Sequence, residues 1–256
     1  MSYWIDTHTH FIMLEEGSEK ALEFAKSQGV EKFINIGTNP EDHNQVLEFA
    51  KKNYPSVFCT LGVHPHDAKI YNDDVDNYLR THAKEKEVLG IGEIGLDYYY
   101  MNSNKEEQHL AFERQLQVAR DLNLPVEIHT RDAEADTIDI LKNYPTVKGL
   151  LHCFTGTQWL ADEASKIGFN ISISGIVTFK NAKDLQETVK KIPLDRLHVE
   201  TDAPFLTPNP HRGKKNTPGF VKHVGEFVAN LKGVSTEELQ KQTLANTKKL
   251  FTKFVG

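Results

Sequence analysis

Six residues of this 256-residue chain have types and placements suited to holding metal ions and activating a water: His8, His10, Glu93, His129, His152 and Asp202. Imidazole nitrogens and carboxylate oxygens together make an N/O donor set for divalent ions. His8 and His10 are two apart, so in an extended segment both side chains point to one side. His129 ends the run Val126-Glu127-Ile128, and His152 ends Leu150-Leu151. Glu93 has glycine close by on each side, Gly92 and Gly95, which permits close backbone approach and points to a crowded site. Asp202 follows Leu197-His198-Val199 and precedes Ala203-Pro204. Singly, each has an ordinary explanation: a surface turn, a hydrogen-bonded core histidine, a solvated carboxylate, a capping aspartate. Their joint placement after successive apolar runs is what argues for a metal site.

The elements that would position them are legible as eight short apolar runs. These are Tyr3-Trp4-Ile5, Phe33 to Ile36, Val57 to Leu61, Val88 to Ile91, Val126 to Ile128, Leu150-Leu151, Ile171 to Ile173 and Leu197 to Val199. Their starts lie roughly 27 residues apart, room for a strand, a helix and two loops. Between them, Phe112, Leu116 and Ala119 repeat at helical spacing, as do Leu160, Ala164 and Ile167, with Gly168 as a stop. Asn39-Pro40 reads as a helix start, and Asp132 as the cap of the segment holding Ile138 and Leu141. After the eighth run come a loop from Pro204 to Pro218 and two helices. Val221, Val224, Val228 and Leu231 face inward on the first, which Gly233 ends, and a Ser235/Glu238 capping box opens the second. Trp4 and Trp159 read as packing residues. Strand–helix alternation eight times over predicts an α/β fold, a (β/α)8 TIM barrel with a C-terminal helical extension and one domain over residues 1–256; an open doubly wound sheet is the alternative. In such a barrel the site lies at the C-terminal ends of the strands, where strands 1, 3, 4, 5, 6 and 8 deliver ligand types.

Composition narrows the class. With 30 Lys+Arg against 36 Asp+Glu the net charge is −6, which argues against a broad basic nucleic-acid surface but not against a substrate held locally at a metal. No stretch of about 18 apolar residues marks a membrane span. The start Met1 to Asp6 has no basic or apolar run of a secretory signal. Cys59 and Cys153 make no disulfide framework or CxxC motif, so the expected compartment is a reducing cytoplasm. No obligate protein partner is evident.

The motifs taken in order are His8-x-His10, Gly62-Val63-His64-Pro65-His66, Gly92-Glu93-Ile94-Gly95-Leu96-Asp97-Tyr98, His129-x-Arg131, His152-Cys153-Phe154-x-Gly156 and Thr201-Asp202-Ala203-Pro204. This set resembles the TatD family of metal-dependent deoxyribonucleases, within the wider amidohydrolase barrels, over nearly the whole chain and with no departure at the metal-ligand positions. The resemblance implies two divalent ions, one held by His8, His10 and Asp202, the other by His129 and His152, with Glu93 bridging. The donor set suits Zn²⁺, Mn²⁺, Co²⁺, Ni²⁺ or Fe²⁺ better than Mg²⁺, although the family is described as supported by Mg²⁺ or Mn²⁺, so the ion stays open. Two divalent ions and two carboxylates leave the pocket at about +2, so an acidic protein can present a cationic site to a phosphodiester and lower the pKa of a bound water toward ~7. Asp202 is then the candidate general base, and Glu93 the bridging catalytic carboxylate.

Other assignments follow at the same mouth. His64 is a substrate-phosphate contact or general acid by resemblance; a rigid turn is the competing explanation for it and the stronger one for His66. Arg131 suits bidentate phosphate binding, or else a salt bridge with Asp97 or Asp132. Arg212 and Lys214, in the basic loop His211 to Asn216, resemble the family's substrate-side loop. Tyr98, Tyr99 and Tyr100 offer base-stacking faces or ordinary packing. Cys153 reads as a small buried hydrophobe rather than a ligand. The expected function is a two-metal DNA exonuclease acting 3′ to 5′ on single-stranded ends, direction and strandedness coming from the resemblance. The alternatives are hydrolysis at a carbon centre (aminoacyl-tRNA deacylase, amidase or lactonase), which apolar lining by Ile176 to Phe179 would favour, and a metal-retaining binding protein.

Overall fold

The computed structural model describes residues 2–256. Eight strands alternate with helices: β1 (Trp4–Thr9), β2 (Val30–Gly37), β3 (Val57–Leu61), β4 (Val88–Asp97), β5 (Val126–Arg131), β6 (Gly149–Leu151), β7 (Asn170–Ile173) and β8 (Leu197–Val199). They pair in sequence order, every pair parallel. Helices α1 (Ser18–Ser27), α2 (His43–Asn53), α3 (Asp73–His82), α4 (Lys105–Leu122), α5 (Glu134–Lys142), α6 (Gln158–Lys166) and α7 (Lys183–Lys191) fill the crossovers; α8 (Val221–Lys232) and α9 (Thr236–Leu250) follow β8. This is the TIM barrel with its C-terminal helices. The amides close the ring between β1 and the chain after β8: Asp202 N–H donates to His8 O and His10 N–H to Ala203 O, each at 2.9 Å. Among the described residues no helix is long and apolar enough to cross a membrane.

Strands covered on both faces read as continuous apolar runs, and β3, β4, β6 and β8 are buried throughout. Most of the core lies between sheet and helices. A second cluster gathers Ile5, Ile34, Ile36, Phe58, Leu89 and Leu150 with Phe251 and Phe254 of the C-terminal segment. Lys253 Nζ fastens that segment by donating to Ala83, Glu85 and Val88 carbonyls at the start of β4. The extension therefore seals the end of the barrel opposite the ligand-bearing mouth.

The stops at Gly168 and Gly233 hold, both at positive φ (86° and 67°), and Ser235 accepts from Glu238 N–H. Two expected helix starts are corrected. Helix α2 begins at His43 rather than beside Asn39-Pro40, because Asn39 makes a turn onto Glu41 N–H and reaches Asp67 instead. Asp132 does not cap α5: its φ is 54°, outside the extended region an N-cap needs, and the helix starts at Glu134. Trp4 is buried as expected, but Trp159 stands 47% exposed on α6, and Leu231 is only half-buried.

Candidate metal centre

Glu93 stands mid-mouth on β4, with histidines from four other segments around it. Its Oε1 lies 2.7 Å from His152 Nε2, 3.0 Å from His129 Nδ1 and 3.3 Å from His64 Nε2, and its Oε2 lies 3.5 Å from His8 Nε2. Asp202 Oδ1 lies 3.3 Å from His10 Nε2 and 3.8 Å from His8 Nε2. Donor atoms gather in three groups, each within 4.8 Å: His8, His10 and Asp202; His8, Glu93 and His152; His64, Glu93 and His129. His8 joins the first two groups and Glu93 the last two. The first group exists because the barrel closes, since the seam that bonds β1 to the chain after β8 is the seam that carries its ligands.

The crowding foreseen from the glycines is real. A Cβ on Gly92 would stand 2.7 Å from Glu127 Cβ, and one on Gly95, at φ 142°, 1.9 Å from His129 O. Only glycine lets β4 approach β5 closely enough for Glu93 to reach His129.

The donor set fits divalent ions on a direct structural ground. His8 Nε2 is fully buried, has no hydrogen-bond partner, and faces the carboxylates of Glu93 and Asp202. A buried nitrogen left so is what a cation between those carboxylates would satisfy. Carboxylates behind the rings complete the arrangement. His8 Nδ1 is 2.8 Å from Glu127 Oε2, both side chains fully buried, and His152 Nδ1 is 3.3 Å from Glu200 Oε1, which also accepts from Cys153 N–H. Asp97 Oδ2 bonds His129 Nε2 and His66 Nε2, while its Oδ1 accepts from the Tyr99 and Tyr100 amides. An imidazole N–H tied to a carboxylate fixes the tautomer and turns the opposite nitrogen's lone pair toward a metal.

The electrostatics agree. Burial alone would raise the Glu93 carboxyl, but His152, His64 and His129 hold it well below the ordinary range. Asp97 and Asp202 are likewise held down against burial by their histidines. Burial and His152 would lower the His8 ring, yet Glu127 and Glu93 push it up to about 10, and His129 and His152 are also raised by their carboxylates. The carboxylates are thus held ionised by the histidines, and the histidine rings are drawn toward positive charge by the carboxylates. His64 differs: burial brings it down to about 4.

The cavity, about 600 Å³, is lined by His10, His64, Glu93, His129, His152 and Asp202, by Asp97 and Arg131, and by Met13, Tyr100, Ile176 and Phe205. Asp97, Glu127 and Glu200 are partners of the histidines that no motif in the sequence marks as such. The available signal was spacing: Glu127 and Glu200 lie two residues before His129 and Asp202, on the same face of their segments. Arg131 makes neither proposed salt bridge; its guanidinium lies 4.0 Å from the Tyr99 ring centre and 4.8 Å from that of Tyr100. His66 belongs to the turn that follows His64, whose Nδ1 accepts the His66 amide. Cys153 is a cavity-wall residue at φ 42° with Sγ 3.2 Å from Ser174 Oγ, not a core hydrophobe. Arg212 and Lys214 are exposed and do not line the cavity: Arg212 lies 4.0 Å over the Phe179 ring and donates to Thr207 O, and Lys214 contributes its carbonyl to Thr207.

A profile of the family described as TatD related DNase matches residues 5–252. The chain is 40% identical over 250 residues to a Bacillus subtilis protein named "Uncharacterized metal-dependent hydrolase YabD", covering 96% of this chain and 98% of that one. It is 35% identical over 240 residues to the "3'-5' ssDNA/RNA exonuclease TatD" of Pantoea ananatis, covering 91% and 92%. Among solved structures, the TatD homolog YJJV of Escherichia coli K12 superposes with a TM-score of 0.91 at 30% identity, over 97% of this chain and 98% of that one.

Proposed function

The chain belongs to the TatD family of metal-dependent hydrolases, and from that premise we propose that it is a cytoplasmic exonuclease that removes nucleotides from the 3′ ends of single-stranded DNA. His8, His10 and Asp202 would hold one divalent ion, and His129 and His152 a second, with Glu93 shared between them. Bound there, two divalent ions supply positive charge to the phosphate oxygens and acidify a water. Asp202 lies against His10 through Oδ1 while its side chain stays 14% exposed, which leaves the second oxygen to take the water's proton. His64, beside Glu93 on the cavity wall, suits a hydrogen bond to a phosphate oxygen.

The observation that carries phosphate over other esters is Arg131. Its guanidinium lies beside two tyrosine rings, pairs with no carboxylate among the described residues, and belongs to the lining of a cavity of metal ligands. A guanidinium left so can pair with two phosphate oxygens. The carbon-centre alternative asked for a wall from Ile176 to Phe179, but only Ile176 lines the cavity, Val177 is buried, and Phe179 lies beneath Arg212. Arg212 and Lys214, outside the cavity on the loop that also bears Phe205, fit phosphates further along a bound strand.

The test is cleavage of a 3′-labelled single-stranded oligonucleotide by metal-stripped protein given Mg²⁺, Mn²⁺, Co²⁺ or Zn²⁺ separately. Release of the label as a mononucleotide, which Asp202→Asn abolishes, is the expected result. Metal-loaded protein that leaves DNA intact and cleaves aminoacyl esters would overturn it.

A further inference from the structure

The cavity's rim has a property that the metal chemistry does not require. Among the described residues, ten large apolar side chains are well exposed, and three of them line this cavity: Met13, Tyr100 and Phe205. Apolar surface concentrated at one mouth marks a ligand with apolar faces. Tyr98, by contrast, turns away and bonds His109 and Asp136, and Tyr99 packs against Arg131 and Tyr100, so of the expected trio Tyr100 alone lines the cavity.

We propose that Tyr100 and Phe205 form the two sides of a clamp that takes unpaired bases at the end of a strand, while Arg131 holds the intervening phosphate. The proposal rests on the nuclease reading above and names how the strand is gripped. Tyr100 follows β4 and Phe205 follows β8; in a closed ring of eight, those strands lie four apart, so their loops stand on opposite sides of the mouth. Both rings line the same cavity. Each is held in place before any ligand arrives. Tyr100 meets Tyr99 edge-on at 4.8 Å and His66 at 5.3 Å, and lies beside the Arg131 guanidinium. The Phe205 amide donates to Asp202 O at 2.8 Å, so an exposed ring (52%) is tied by its backbone to a metal ligand. Its ring also meets His10 edge-on at 6.1 Å. Faces of aromatic rings bind any base without regard to sequence, and a paired base inside a duplex has no free face to offer. The clamp would thus choose strand state rather than sequence.

The test compares KM for a single-stranded oligonucleotide with that for the same strand carrying an abasic residue in turn at each of its last two 3′ positions. Wild type, Tyr100→Ala, Phe205→Ala and Phe205→Trp are measured, with metal content read on each. Stacking on one ring is worth about 5- to 150-fold in KM. The alanine variants should show that loss on the normal strand, Phe205→Trp should recover it, and on the abasic strand the alanine that removes the matching ring should add less than about twofold to a KM already raised in the wild type. Wild type that cleaves single strands while both alanine variants keep its KM overturns the clamp and leaves the nuclease standing. Wild type that cleaves no DNA at all overturns the nuclease reading, and the clamp falls with it.

Discussion

Glu127→Gln tests whether the carboxylate behind His8 tunes the metal site. The two side chains meet at 2.8 Å, both without solvent exposure, so water cannot stand in for the lost charge. The amide keeps the shape and can still accept the His8 N–H. What goes is the charge. A hydrogen bond to an ionised group contributes about 1.5–3 kcal/mol against about 0.5–1.5 for a neutral pair, a loss of about 1–1.5 kcal/mol. That is about tenfold in metal affinity, at the lower end of the 10- to 100-fold that such outer partners typically control. His8 would hold one ion with His10 and Asp202, so that ion should weaken, and the second should follow only through the shared Glu93. Competition against a chromophoric chelator reads the affinity, and a melt of metal-free protein shows whether the fold is intact. A folded variant that binds metal as tightly as wild type would refute the reasoning, and His8 would then be oriented by packing alone.

Three further outcomes are expected. Glu93→Ala removes the carboxylate that touches four histidines and should lose at least one ion and most activity while remaining folded; normal metal content in that variant, measured by atomic emission, would exclude a shared ligand. Phe251→Ala should cost about 3–5 kcal/mol by opening a hole in the cluster that seals the barrel, which for a chain of this size is a fall in Tm of roughly 10 °C, read by calorimetry with metal content unchanged. His198 is buried and neutral, its ring brought down to about 3 by burial, with Asn170 at Nε2 and Thr247 at Nδ1. Because its folded pKa lies below the unfolded value of 6.5, the unfolded chain takes the proton first, so stability falls as pH drops from about 6.5 toward 3. At pH 5 this amounts to about 2 kcal/mol. Urea melts at pH 7 and pH 5 should show a shallower pH loss in His198→Gln than in wild type, and equal losses would assign the acid sensitivity elsewhere.

Helix and strand order could be read from the chain because apolar periodicity is a local property, and parallel strands buried on both faces leave continuous apolar runs. The helix starts at Asn39 and Asp132 misled because capping depends on the φ of one residue, which neighbouring turns decide. Arg131 could be seen as a candidate cation, but the ring pair that occupies its face follows from how the loop after β4 folds back beside β5. Arg212 looked like its equal in sequence; in the fold it covers Phe179 outside the cavity.

The six candidate ligands follow from the sequence itself, since each comes at the end of a run that has to be a strand, and strand ends share one side of a barrel. The partnership between them was decided only in three dimensions. His8 and Asp202 stand 194 positions apart in the chain and meet because the last strand closes on the first. Glu127 and Glu200 look like ordinary strand carboxylates until the ring brings β5 beneath His8 and the end of β8 beneath His152. Ligand type is written in single residues, whereas a metal site needs several donors within a few ångströms, and only barrel closure sets that distance.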